Sequence, residues 1–278
     1  MPDGCTIGAL NMDEKRYLFK NRDLVYPDFK DTTKFDDEAF LVTGVNIAVG
    51  KPTGASIGIN KHGVMMASST VLISQDPPYD DLLQLLLREA KSLSEAVSIV
   101  RDDLDSGSKY QWCNFVISDS KKVGIIEIGN GEMVTESDVR MAVRTNHHLK
   151  LPTSKLLESA PPEMREAAGS LTTSRYRLQV AFAMLEDAKV LTDITQMLSS
   201  HSEGRGFDSI CRHYHPNENR YRGMTSYSYI LESLESEDSP EYRIHVVRGN
   251  PCESAYQTLE IDFAGTPAEK DRLVSGFP

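Results

Sequence analysis

CTIGALNMDEKRYLFKNRDL, residues 5–24, reads as two strands with a polar turn between them. The runs CTIGAL (5–10) and YLFKNR (17–22) carry the β-branched and aromatic side chains of strands. Paired as a hairpin, they return Asp23 to the neighbourhood of Cys5. An isolated NRD also fits a solvated turn, since Asn and Asp favour turns. Cys5 follows Gly4 at the head of the first strand. A thiol with a pKa of about 8.5 is only partly ionised at neutral pH, so a nucleophilic cysteine needs a base. No histidine stands close to it in the chain. A free α-amine on Cys5 itself, with a pKa of about 7.7–8.0, would serve.

Exposing that amine requires loss of residues 1–4, read here as a propeptide removed by autocleavage, with 5–278 as a single mature domain. Gly4 suits the cut. Without a Cβ it takes backbone angles that let the Cys5 thiol reach its carbonyl, and an N-to-S acyl shift followed by hydrolysis frees the amine.

Working outward, VNIAVG (45–50), ASIGIN (55–60) and GVMMASSTV (63–71) continue the strands, in the spacing of an antiparallel meander. Helical spacing follows in LLQLLLREA behind Asp80 and Asp81, and in LSEAVSIVRDDL behind Ser92. Strands resume at NFVISD (114–119), VGIIEIG (123–129) and VRMAVRTN (139–146), with SDSKKVG as a hairpin turn. A second helical block spans about 151–200, clearest in SRYRLQVAFAMLEDA. The tail returns to strands at 225–234, 242–249 and 256–263. Blocks of strands alternating with blocks of helices predict an α+β layered fold rather than a βαβ winding.

The chain has 278 residues with 30 basic and 41 acidic side chains, a formal charge of −11 that argues against a phosphate-binding surface and so against nucleic acid. Its start lacks a basic region before a long apolar run, and no stretch is long and apolar enough for a membrane span. Four cysteines at 5, 113, 211 and 252 are widely spaced, which reads as free thiols in a reducing cytoplasm.

Other chemistries are weaker. Cys211, His213 and His215 form C-x-H-x-H, which on a strand would share a face and suit zinc, but no fourth ligand is evident, so no metal is expected. Cys113 or Cys211 could pair with a distant histidine, yet neither lies in a local motif for it. GVNIAVGKP (44–52) lacks the glycine spacing and the Ser or Thr of a phosphate loop.

The pieces GCT (4–6), KNRDL (20–24), GINKHGVMMASSTV (58–71), NFVISDSKKVGIIEI (114–128), RTNHHL (144–149), TTSRYRL (172–178), SICRH (209–213) and GNPCESAY (249–256) occur in an order that resembles the N-terminal-nucleophile (Ntn) hydrolases of the choloylglycine hydrolase and isopenicillin N acyltransferase group, and among them the acyltransferase-like branch. The resemblance runs along nearly the whole chain. It implies a four-layer αββα sandwich with two stacked antiparallel sheets. It also implies roles: Cys5 as nucleophile, Asp23 as the carboxylate at its amine, Asn146 as the amide donating to the oxyanion, and Arg175 as a supporting arginine. Thr70 falls near an oxyanion position where the bile-salt branch has Asn, and Lys20 near one where that branch has Arg; bile-salt hydrolysis is not the expected activity. Ser69, Asn21 and His147 complete the expected oxyanion and substrate pocket. The implied activity is cleavage or transfer of the acyl group of a small linear amide through a thioester, without metal or organic cofactor. Acyl-coenzyme A enters as a donor by resemblance alone, and association into homo-oligomers fits the family. The alternative is a degenerate member acting as a binding or scaffold protein.

Overall fold

The opening hairpin is the centre of the first sheet. β1 (Cys5–Met12) and β2 (Lys15–Leu24) pair antiparallel, with Cys5 opposite Arg22 and Ile7 opposite Lys20. The computed structural model describes residues 4–12, 14–24, 29–46, 50–138, 140–153, 170–213, 223–236 and 239–278. Within them the first sheet adds β10 (Met141–Arg144) beside β1, and β11 (Met224–Leu234), β12 (Glu241–Arg248) and β13 (Gln257–Ile261) beyond β2. The second sheet is a meander of β3 (Thr33–Phe35), β4 (Ala39–Asn46), β5 (Lys51–Asn60), β6 (Met65–Leu72), β7 (Trp112–Ser118), β8 (Val123–Gly129) and β9 (Glu132–Asp138). Every pairing is antiparallel.

The sheets stack face to face over a shared core that includes Ile7, Leu18, Phe40, Val42, Ile57, Met65, Val116 and Tyr229. Helices α1 (Asp80–Glu89) and α2 (Leu93–Asp105) cover the outside of the second sheet, burying Leu83, Leu86, Ala96 and Val100 against Met66, Phe115 and Ile117. Helices α3 (Ser170–Leu185) and α4 (Leu191–Leu198) cover the outside of the first, where Ala181, Leu185, Ile194 and Met197 meet Leu10, Phe19 and Ile230. The result is a four-layer αββα sandwich, as the resemblance implies. Both faces of each sheet are covered, so the central strands read as nearly unbroken apolar runs instead of an in–out alternation. Among the described residues no helix is long and apolar enough to cross a membrane.

Local signals account for most boundaries. Ser92 caps α2 by accepting from the Glu95 amide, and Glu95 returns to the Lys91 amide. Asp119 closes the β7–β8 turn by accepting from the amides of Lys121 and Lys122. Three elements had no reading in the sequence. β3 has only three residues, and β9, EMVTESD, is a polar edge strand with little apolar alternation. The third, α5 (Pro267–Ser275), is short and polar; it starts at Pro267 behind a Thr266–Glu269 box and seats Phe277 in the core between the sheets. The strand expected at 45–50 instead covers Ala39–Asn46, and 47–49 lie outside the described residues.

The interior of the sandwich also carries charge. On β2 the even positions from Leu18 to Arg22 point between the sheets. Lys20 Nζ donates to Ser56 Oγ at 2.6 Å and to the Ser68 carbonyl at 2.7 Å, and Arg22 pairs with Asp31, both essentially fully buried. Asp31 in turn accepts from Tyr229 Oη.

Candidate active site

The peptide bond between Gly4 and Cys5 is held at both of its polar atoms. The Gly4 carbonyl accepts from the Asp23 backbone amide at 2.8 Å, and the Cys5 amide donates to Asn146 Oδ1 at 3.0 Å. Pairing of β1 with β2 sets the first contact, because it returns residue 23 to the start of β1. A Cβ at Gly4 would collide with the Arg212 guanidinium and come within 2.6 Å of Asp23 Oδ2, so a larger residue there needs both side chains to shift.

Asn146 lies just past β10 and is held by Cys5, Arg177, Thr70 and Ser174. Oδ1 accepts from the Cys5 amide and from Arg177 Nη2 at 2.7 Å; Nδ2 donates to the Thr70 carbonyl at 2.8 Å; and the backbone amide donates to Ser174 Oγ at 2.8 Å. Two donors on one atom and a carbonyl on the other leave no choice of flip. With Gly4 still joined to Cys5, the Asn146 amide nitrogen donates to the Thr70 carbonyl.

The arginine that contacts Cys5 is Arg177, where the sequence points to Arg175. Arg177 Nη1 donates to the Cys5 carbonyl at 2.8 Å and to Thr6 Oγ1 at 3.1 Å. Helix phase decides this. Ser174, Arg177, Leu178, Ala181 and Leu185 form the buried stripe of α3 against the first sheet, while Arg175 and Tyr176 are exposed. Burial, then the neighbouring Arg212, pull the Arg177 pKa down to about 9, which leaves it a cation at neutral pH.

Asp23 is fully buried at the end of β2. Its Oδ1 accepts from Thr225 Oγ1 at 2.7 Å, and its Oδ2 lies 3.2 Å from Arg212 Nε, at ion-pair distance without hydrogen-bond alignment. Burial pushes its pKa up, while Arg212, Arg177 and Thr225 pull the other way. Arg212 is held in turn: its guanidinium stacks 4.0 Å from the Phe207 ring centre, and its backbone amide donates to Thr225 Oγ1 at 2.9 Å. The sequence reading quoted SICRH without assigning Arg212 a role.

Cys5 faces a cavity of about 20 Å³, room for roughly one water molecule. Lys20, Arg22, Asp23, Ser56, Thr70, Tyr79 and Asp80 line it with Cys5. Burial lowers the pKa of Lys20, an effect opposed by the Cys5 thiol. Burial raises Asp80 to about 7, against the pull of Lys20 and Arg22. Thr70 Oγ1 shares a short hydrogen bond with Tyr79 Oη. The loop after Thr70 thus contributes to the lining; residues 154–169, before Arg175, lie outside the described ones.

The remaining expected pocket residues stand behind the site. Asn21 points to the outer face of the first sheet, donating to the carbonyls of Leu198 and Ile210 and accepting from Ser228. Ser69 Oγ donates to the Thr145 carbonyl at 2.6 Å. His147 is buried with Nδ1 2.8 Å from Ser174 Oγ, and burial, with Arg175 next, lowers its pKa to about 4. It is neutral at working pH and buttresses the Asn146 turn. Met1–Asp3 and His215 lie outside the described residues.

The arrangement is a cysteine with a cation on its backbone carbonyl, an amide oxygen accepting from its backbone nitrogen and a carboxylate at the same end of the strand. No protein-family model and no curated protein matches the chain. Among solved structures it is similar to penicillin V acylase from Agrobacterium tumefaciens, at 12% identity and a TM-score of 0.47, over 91% of this chain and 94% of that one.

Proposed function

We propose that the chain is an N-terminal-cysteine amidohydrolase, able also to transfer acyl groups, that first cuts its own Gly4–Cys5 bond. The observation that carries this reading is the double grip on that bond, with the Asp23 amide on its oxygen and Asn146 Oδ1 on its nitrogen. Attack of Cys5 Sγ on the Gly4 carbonyl carbon places negative charge on the oxygen that the Asp23 amide already contacts. A donor preorganised at such an oxygen contributes roughly 3–4 kcal/mol. The intermediate collapses by breaking the C–N bond. The thiol proton ends on the departing nitrogen, and Gly4 is left as a thioester on Cys5. Water hydrolyses the thioester, releasing residues 1–4 as an acid and restoring the thiol.

The freed α-amine keeps Asn146 Oδ1 as its acceptor and gains the Asp23 carboxylate as a counter-charge. It then serves as the base for Cys5. Departure of Gly4 vacates the volume bounded by Arg212 and Asp23, which enlarges the small cavity toward the size of an acyl group. A second amide carbonyl entering there meets the same sulfur. Its acyl group passes to Cys5 as a thioester, its amine leaves with the proton, and water or another amine resolves the thioester. The substrate class is a small N-acylated amine or amino-acid conjugate.

Two measurements on one protein test this. Intact mass should show a chain beginning at Cys5, and a panel of N-acyl amino acids, acyl-homoserine lactones and penicillin or bile-salt analogues should release amine. Cys5→Ala should keep Met1–Gly4 and release none. Full turnover by an uncut chain would overturn the cleavage step, and unchanged function in Cys5→Ala would favour the binding-protein alternative.

A further inference from the structure

Around the chain neighbours of Arg212, four side chains of metal-binding type converge. His201, Cys211, His213 and Cys252 each offer one ligand atom, and these atoms all lie within 4.8 Å of one another. His201 Nε2 and His213 Nε2 are 2.9 Å apart, Cys211 Sγ and Cys252 Sγ 3.6 Å, and His213 Nε2 lies 3.2 Å from Cys252 Sγ and 3.8 Å from Cys211 Sγ. Four ligands on one tetrahedral zinc, with Zn–S about 2.3 Å and Zn–N about 2.0–2.1 Å, are separated by about 3.8 Å for S···S, 3.5 Å for S···N and 3.3 Å for N···N. The two S···N separations fall on either side of the tetrahedral value, and the S···S and N···N separations are shorter than theirs by a few tenths of an ångström, so the four atoms need to spread only slightly to take up the ion. The sulfur pair is far longer than a disulfide, whose S–S distance is about 2.05 Å, and both cysteines are free thiols.

The surroundings are those of a metal site as well. His213 directs Nδ1 toward Glu253 Oε1 at 3.5 Å, which leaves Nε2 aimed into the cluster in the carboxylate–histidine–metal arrangement. Asn250 Nδ2 lies 3.3 Å from Cys211 Sγ and donates to the Arg212 carbonyl at 2.7 Å, so one amide supports both the sulfur and the backbone beside it. The segment that carries the first three ligands folds back on itself through the Cys211 amide, which donates to the Ser200 carbonyl at 2.9 Å, and Cys252 arrives from the turn after β12.

We propose that His201, Cys211, His213 and Cys252 bind one zinc ion in a closed, structural Cys2His2 site. The donor set, two thiolates and two imidazoles in a tetrahedron, selects zinc over harder cations. Both thiols bind as thiolates, and their protons go to solvent. The sequence offered Cys211, His213 and His215 and no fourth ligand; His215 lies outside the described residues, and among those described the fold brings His201 and Cys252 to Cys211 and His213. The site ties β12's following turn to the 200–213 segment. Arg212, between two of the ligands, is thereby fixed where it meets Asp23.

The test is metal content of the full chain, independent of any substrate. Protein from zinc-supplemented culture should carry one zinc per chain by mass spectrometry of the metal. Cobalt exchanged into it should show thiolate charge-transfer and tetrahedral d–d absorption. Cys252→Ser, at an exposed position, and His201→Ala should each lose zinc, with affinity down at least tenfold, and Glu253→Gln should weaken it about tenfold. Cys5→Ala should retain zinc in full, which separates this proposal from the enzymatic one. Native protein with negligible zinc overturns the proposal. So does retention of zinc by folded Cys252→Ser and His201→Ala alike, or a Cys211–Cys252 disulfide, seen as a mass lower by two hydrogens, in metal-free native chain.

Discussion

At the scale of single residues, the two arginines of SRYR separate the roles that sequence left open. Arg177 makes a fork to the Cys5 carbonyl, Thr6 and Asn146, whereas Arg175 is exposed. A lysine cannot reproduce two parallel N–H donors in a plane. Arg177→Lys is therefore expected to slow amide turnover about a hundredfold, in line with the cost of small misplacements at reacting groups. Arg175→Ala should stay within about 0.5 kcal/mol of native stability and keep its turnover. Steady-state kinetics on the two variants decide it; equal losses would show that helix phase is a poor guide here. Cys5, Asp23 and Asn146 come together as the sequence reading grouped them, because two lie on one hairpin and the third follows the neighbouring strand. Arg177 was missed because two arginines lie two residues apart, and only the orientation of α3 on the sheet distinguishes them. Asp80 and Tyr79 were missed for a related reason: they face the cavity from a helix start that read as an ordinary acidic cap.

At the scale of elements, α3 holds the Asn146 turn through one hydroxyl. Ser174 Oγ accepts from the Asn146 amide and contacts Thr145 Oγ1 and His147 Nδ1. Ser174→Ala leaves those buried groups without their shared partner, at a cost of about 1–3 kcal/mol in unfolding free energy. On the proposed cleavage, the same change should slow removal of residues 1–4, since Asn146 Oδ1 accepts from the Cys5 amide of the Gly4–Cys5 bond. Denaturant melts and timed intact-mass spectra on one preparation would test both; normal processing in a destabilised variant would confine Ser174 to the fold. The strands of the two central layers were legible because apolar runs bounded by turn residues are strong signals. β3, β9 and α5 were not, since short polar edge elements gain their order from neighbours instead of from their own pattern.

At the scale of the whole molecule, burial of acidic groups makes stability depend on pH. Asp80 at the start of α1 faces Lys20 and Arg22 of β2, the Cys5 thiol, Tyr79 and Asp81. Its pKa is about 7 in the folded chain against an ordinary 3.8. Between those values the native state binds the extra proton, so unfolding free energy falls as pH rises. The contribution is complete below pH 3.8 and is lost by the time pH passes 7. Asp80→Asn removes this dependence, and its stability relative to native should improve between pH 5 and pH 8 by about 3 kcal/mol. Parallel pH curves for the two proteins would refute the assignment. Long-range assembly of this kind was hidden from the sequence. Sheet stacking places Asp80 against β2, and chain return places Cys252 beside His201; no local spacing encodes either.

The Arg22–Asp31 pair, sealed between the sheets, has a consequence for the solution behaviour of the chain. Dissolved ions screen charges only where they can approach them, over about 8 Å at physiological ionic strength. They can crowd around the surplus carboxylates on the outside, which give the chain its charge of −11, and soften their mutual repulsion. With Gly4 in place they do not reach a guanidinium and a carboxylate that are 3% and 0% exposed. Added salt therefore relaxes the shell of this molecule while the electric field inside the sandwich stays as folding left it.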